Sequence, residues 1–109
     1  MACASELRGI QRNLASLEAA GVKAVAISAD TNDESRELCR KASLTFPLLS
    51  DHKAEVIRSY DLLVPNGSPA DSRDISGIAE FLLDTSGTVR WRHFGETKAE
   101  RFVDEAKKL

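Results

Sequence analysis

Only two thiols are present in the chain, Cys3 and Cys39, and the first stands in the opening stretch MACASEL, directly ahead of a helix-forming run. A thiol at a helix N-terminus feels the positive end of the macrodipole and the unpaired N–H groups of the first turn, and both favour thiolate. Thiolate is the nucleophilic and oxidisable form of cysteine. On residue type alone Cys3 is therefore either a redox nucleophile or a small apolar residue near a frayed end. Cys39 is open in the same way, because free cysteine on an apolar helix face is often only packing. His52 and His93 stand apart from any second Cys or His at ligand spacing, so zinc is not expected. Asp30, Asp33 and Glu34 cluster, but acids at a helix start are ordinary.

The elements that must position these residues follow from pattern. In SELRGIQRNLASLEAAG, Leu7, Ile10, Leu14 and Leu17 fall at helical spacing with Gly21 as the stop. KAVAIS (Lys23–Ser28) predicts a strand buried on both faces. ADTNDESRELCRKAS predicts a helix capped by Thr31 or Asn32, with Leu38 and Cys39 inward. TFPLLSD predicts a short strand, then a helix capped by Ser50 or Asp51 and running to about Tyr60, its stripe made of Val56, Ile57 and Tyr60. Val64–Gly77, rich in Pro, Gly, Ser and Asp, predicts a long loop. AEFLLDTSGTVRWRHFGE predicts a hairpin turning at Asp-Thr-Ser-Gly, with Gly87 free to take positive φ. Trp91 and Phe94 are expected to pack, Arg90 and Arg92 to face solvent. KAERFVDEAKKL predicts a terminal helix with Phe102, Val103 and Ala106 inward. Helices alternating with strands and then an antiparallel pair give an α/β domain, a mixed sheet covered by helices.

At 109 residues this is expected to be a single domain, residues 1–109. Fifteen basic and 17 acidic residues leave a net charge of −2 without a basic block, which argues against nucleic-acid binding. No apolar run reaches the ~18 residues of a membrane span, and no basic-then-apolar leader pattern opens the chain. The expected location is the cytoplasm, where two cysteines are core residues or chemically used ones rather than a disulfide framework.

Four phrases then occur in one order: Cys-x-x-Glu-Leu from Cys3, Ile-Ser-x-Asp from Ile27, Phe-Pro-Leu-x-Ser-Asp from Phe46, and Phe-Leu-x-Asp-x-x-Gly-x-Val-Arg from Phe81. Together they resemble a thioredoxin-fold redoxin, specifically the alkyl hydroperoxide reductase/thiol-specific antioxidant group of peroxiredoxins in its bacterioferritin-comigratory-protein branch. The resemblance implies a thiol-dependent peroxidase in which Cys3 attacks a peroxide and Cys39 resolves the resulting sulfenic acid. It also implies a thioredoxin-like reductant as partner and no metal or organic cofactor. Two alternatives stand beside it. In the first, Cys3 is the second thiol of a Cys-x-x-Cys or Sec-x-x-Cys motif whose first member would precede Met1, making a thiol-disulfide oxidoreductase. In the second, the chain is an inactive redoxin acting as an interaction module.

The sequence departs from that family in three places. Only Met1 and Ala2 precede Cys3, where the family has a Pro-x-x-x-Thr-x-x-Cys loop. The family's Arg ahead of the Phe-Leu-x-Asp strand is replaced by Gly77, Ile78, Ala79 and Glu80. A carboxylate at Glu80 is expected to oppose a nearby thiolate, with Arg73 or Arg90 as substitute cations. The strand expected before the first helix is also missing. KAVAIS and AEFLLD are then expected either to pair directly or to be completed by another chain, as a homodimer or strand swap.

Overall fold

The computed structural model describes residues 4–67, 71–95 and 99–108. The expected order of elements is present. The first helical stretch is two helices, α1 (Ala4–Arg12) and α2 (Leu14–Ala19), broken at Asn13. The side-chain amide of Asn13 donates to the Gly9 carbonyl at 2.8 Å, which explains the break: a short polar side chain competes for a helix carbonyl. Gly21 ends α2 at φ 79°, a left-handed conformation that glycine adopts without strain.

Strand β1 (Ala26–Ser28) pairs in parallel with β2 (Leu48–Ser50), Ile27 opposite Leu49. Helix α3 (Asn32–Ala42) makes the crossover that a parallel pair requires. Thr31 caps it reciprocally: its hydroxyl accepts the Glu34 N–H at 3.2 Å and the Glu34 carboxylate accepts the Thr31 N–H at 2.9 Å. The strand is shorter than expected and is not buried on both faces. Val25 and Ile27 are 56% and 44% exposed, because no layer covers that side of β1.

Helix α4 (Glu55–Ser59) begins later than expected, behind Ala54 in a left-handed conformation. Asp51 still caps it from upstream, its carboxylate accepting the N–H groups of Glu55 at 3.1 Å and Ile57 at 2.7 Å. Of the expected stripe only Ile57 is buried; Val56 and Tyr60 are exposed. The long loop is not all loop. Leu63–Val64 (β3) and Ile75–Ser76 (β4) form a short antiparallel ladder across it. A Cβ on Gly67 would come within 2.7 Å of Val64 and 2.8 Å of Ile75, so a glycine is needed for that approach.

Strands β5 (Ala79–Leu83) and β6 (Val89–Phe94) make the expected hairpin, with a register shift between Leu82 and Leu83 and Gly87 at φ 87°. Helix α5 (Ala99–Ala106) closes the chain. Its Phe102, Val103 and Ala106 join Leu17 and Leu82 in the main core, with Ile10, Val22, Ala24 and Trp91 packed around them. Phe94, 54% exposed, packs on the sheet surface, edge-on to Phe81 with ring centroids 6.0 Å apart. The ladders are of both kinds, parallel and antiparallel, and are flanked by helices. Among the described residues β1–β2 and β5–β6 are separate two-stranded ladders, and β1 does not pair with β5.

Leu17 is fully buried, so Leu17→Ala should cost about 3 kcal/mol by urea unfolding. Thr31→Ala, which loses only the cap, should cost about 1 kcal/mol in the same measurement.

Candidate active site

The structure brings α1, the helix behind Cys3, against α3, the helix that carries Cys39. The contact is held by Gln11 and Thr45: the Gln11 amide donates to the Thr45 hydroxyl at 3.0 Å, and its oxygen accepts the Thr45 N–H at 2.8 Å. Thr45 lies just beyond the end of α3, so this clasp ties one helix to the far end of the other. Cys3 itself lies outside the described residues. Cys39 is a free, half-buried thiol in the last turn of α3. Its carbonyl accepts the Leu44 N–H at 3.0 Å where the helix is ended by Ser43 at φ 54°.

Glu80 is placed more deeply than its charge would suggest. Alternation along β5 puts it on the same face as Leu82, toward the helices, and it is only 9% exposed. One of its carboxylate oxygens, Oε1, has no hydrogen-bond partner among the described residues. Burial, and secondarily the negative charge of Glu6 in the first turn of α1, push its pKa up to about 7. Strand β5 therefore carries a buried carboxyl group that feels the charge of Glu6 in the first turn of α1. Burial softens the expected opposition to a thiolate, because below about pH 7 the group is mainly neutral.

Neither arginine considered as a substitute is free for another anion. Arg73 forks onto Glu34 with two bonds of 2.9 Å and reaches Asp71 at 3.0 Å. This holds the Glu34 carboxyl down at about 2, with the Thr31 N–H as the next cause. Arg90 lies 3.5 Å from Asp84 at the hairpin turn. The acids at the start of α3 are thus committed to capping and ion pairing. Asp33 pairs with Arg36 at 2.8 Å. Asp30 has its pKa raised by burial and by the charge of Glu34. No metal-binding cluster of His, Cys, Asp and Glu occurs among the described residues. His93 stacks on Trp91 at 6.1 Å with only 11° between the ring planes, and Trp91 packs on Phe102. Arg92 lies over the Phe94 ring.

The burial of Glu80 was not read from sequence, although the alternation Glu80–Leu82 was there to place the carboxyl inward. Its titration gives a clear stability signature. Glutamate in an unfolded chain loses its proton near pH 4.5, whereas folded Glu80 keeps it until about 7. Over that window the unfolded state binds fewer protons, so this group makes stability fall as pH rises and level off above it. Glu80→Gln should match the parent protein near pH 4.5 and exceed it in urea midpoint at pH 7.5. Equal midpoints at both pH values would overturn the burial argument.

Comparison with known proteins agrees with this geometry. The AhpC/TSA family model matches residues 1–92. The chain is 26% identical over 108 residues to a chloroplastic peroxiredoxin Q of Sedum lineare, covering 98% of this chain and 55% of that protein. For the peroxiredoxin Q of Gentiana triflora the identity is 25%, covering 98% and 47%. The chain thus spans about half the length of these curated relatives. Among solved structures, a peroxiredoxin Q of Xanthomonas campestris superposes with TM-score 0.84 at 22% identity, covering 97% of this chain and 69% of that one. The bacterioferritin comigratory protein of the same organism gives 0.81 at 21%, covering 97% and 70%. These likenesses carry the thioredoxin-like α/β fold, and the family model covers most of the sequence. The chain belongs to the AhpC/TSA family.

Proposed function

We propose that the chain is a thiol-dependent peroxidase acting through Cys3 and Cys39. The observation that carries this reading is the family match over a segment that sets Cys3 ahead of α1, joined to the docking of α1 against the helix of Cys39. The described activity of a structural relative, alkyl peroxide reduction by the Xanthomonas protein, supports the substrate class.

In the first step the Cys3 thiolate attacks the terminal oxygen of a hydroperoxide. The S–O bond forms as the O–O bond breaks, sulfur is oxidised to sulfenic acid, and the alkoxide or hydroxide leaving group takes up a proton. Cys39 then attacks the sulfenic sulfur, a disulfide forms and water leaves. A dithiol reductant of thioredoxin type returns both thiols by exchange. A disulfide needs the two Cα atoms at roughly 4.4–6.8 Å, which helix residues rarely reach without adjustment, so resolution in this reading includes local unwinding at Cys39. Its place in the final turn of α3 limits that unwinding to the end of the helix. Such chemistry requires no metal or organic cofactor and belongs in a reducing compartment such as the cytoplasm. A second copy of the chain is a further partner in this reading, suited by the exposed Ile27, Leu49 and Phe94.

Hydrogen peroxide should lower the intact mass of the purified chain by about 2 Da, two hydrogens, as the disulfide forms. Cys3→Ser should abolish both that loss and peroxide consumption. Cys39→Ser should leave a sulfenic acid that a 1,3-dione reagent traps, and should stop thioredoxin-coupled turnover. Thiols that persist through peroxide treatment would instead point to a non-catalytic binding module.

A further inference from the structure

The turn that carries Cys39 ends at two neighbouring N–H groups with different partners. The Leu44 N–H closes that turn on the Cys39 carbonyl at 3.0 Å. The next N–H, of Thr45, turns away from α3 and is accepted by the side-chain oxygen of Gln11 on α1 at 2.8 Å. The Thr45 hydroxyl, which accepts the Gln11 amide at 3.0 Å, lies 3.3 Å from that same oxygen. Gln11 thus grips both the backbone and the side chain of one residue, which fixes direction as well as distance. The contact is solvent-exposed, so its loss strands no buried polar group and the fold should survive it.

We propose that Gln11 is a positioning residue for the resolving step: by holding Thr45 it keeps the turn of Cys39 on α1 while that turn opens. The inference deepens the peroxidase reading and rests on it.

In that reading the Cys39 sulfur attacks the sulfenic sulfur of Cys3. The S–S bond forms, the S–O bond breaks, and the oxygen leaves as water with the Cys39 proton. Unwinding the last turn of α3 gives up the Leu44 bond to Cys39 and the Ser43 N–H bond to the Arg40 carbonyl at 3.3 Å. Ser43 stands at φ 54°, a left-handed conformation that is strained for a residue with a side chain, so unwinding there relieves strain. Neither bond of the clasp belongs to the helix, and both persist as the turn opens. Upstream, the Ser35 hydroxyl stays on that of Ser50 at 2.6 Å. The freed segment is then a loop with one end on β2 and the other on α1, the helix that Cys3 directly precedes in sequence. Without the clasp the next backbone tie is at Pro47, whose carbonyl accepts the Ala26 N–H at 2.9 Å. Loop length would hardly change, and closure entropy varies only slowly with it. What changes is the anchor, from the helix behind Cys3 to strand β1, and with it the effective concentration of one thiol at the other.

The test is single-turnover oxidation of the full chain with one equivalent of hydrogen peroxide, quenched at intervals with a 1,3-dione and read by intact mass. Gln11→Ala should form the sulfenic acid at the parent rate and the disulfide about tenfold more slowly, the equivalent of one or two net hydrogen bonds. Under excess peroxide it should then accumulate sulfinic acid on Cys3, heavier by about 32 Da, two oxygens. Gln11→Glu keeps an oxygen for the Thr45 N–H and hydroxyl and should resolve like the parent. Thr45→Val added to Gln11→Ala should slow resolution no further, because the clasp is already gone. Equal slowing of both steps, or a disulfide rate in Gln11→Ala equal to the parent's, would overturn the role of Gln11 and leave the peroxidase reading in place. A parent chain whose thiols persist through peroxide would overturn both.

Discussion

The burial of Leu17 is the constraint on which the arrangement depends. This residue sits where α2 meets β5 and α5, in contact with a cluster drawn from three elements that are distant in sequence. Among the described residues no strand pairing links the β1–β2 ladder to the β5–β6 ladder. Backbone hydrogen bonds therefore do not hold the two ladders together; apolar side chains packed under a shared helical roof do. Such packing is non-directional and scales with area removed from water.

Charge in the site is arranged by burial more than by ion pairs. The described cations near the acidic residues are spent on surface pairs: Arg73 on Glu34 and Asp71, Arg90 on Asp84. Exposed pairs of this kind contribute little stability individually, and their effect here is to take arginine out of play. Glu80 Oε1 has no such partner among the described residues. Burial on β5, and secondarily the negative charge of Glu6, raises its pKa to about 7. The charge of this buried carboxyl group thus depends on the surrounding pH.

Much of this was legible in the residues themselves. Thr31 with Glu34 three positions on is a capping box in sequence as well as in space. Asp84 to Gly87 between two β-prone runs specified the hairpin, and the spacing of Phe102, Val103 and Ala106 specified the inner face of α5. Misreadings arose where the outcome depends on what lies beside a segment. KAVAIS has the composition of a strand covered on both sides, but composition cannot report that one cover is missing. Asn13 broke a helix because its amide found a carbonyl, a local competition that periodicity does not register. The β3–β4 ladder was hidden because two-residue strands are too short to show alternation. The thiol of Cys39 was placed correctly on α3, half-buried rather than fully inward.

The fastenings of α3 are unevenly distributed. Its front is secured by the Thr31–Glu34 exchange, by Arg73 reaching in from beyond β3, and by the Ser35 hydroxyl meeting Ser50 of β2 at 2.6 Å. Its rear is fastened from outside by the clasp of Gln11 on Thr45, past the final turn. A rod pinned at the front and tethered by a strap behind yields between the two. Opening of the final turn that holds Cys39 would accordingly leave in place both the front fastenings and the strap beyond it, so the thiol can shift without α1 or β2 being displaced.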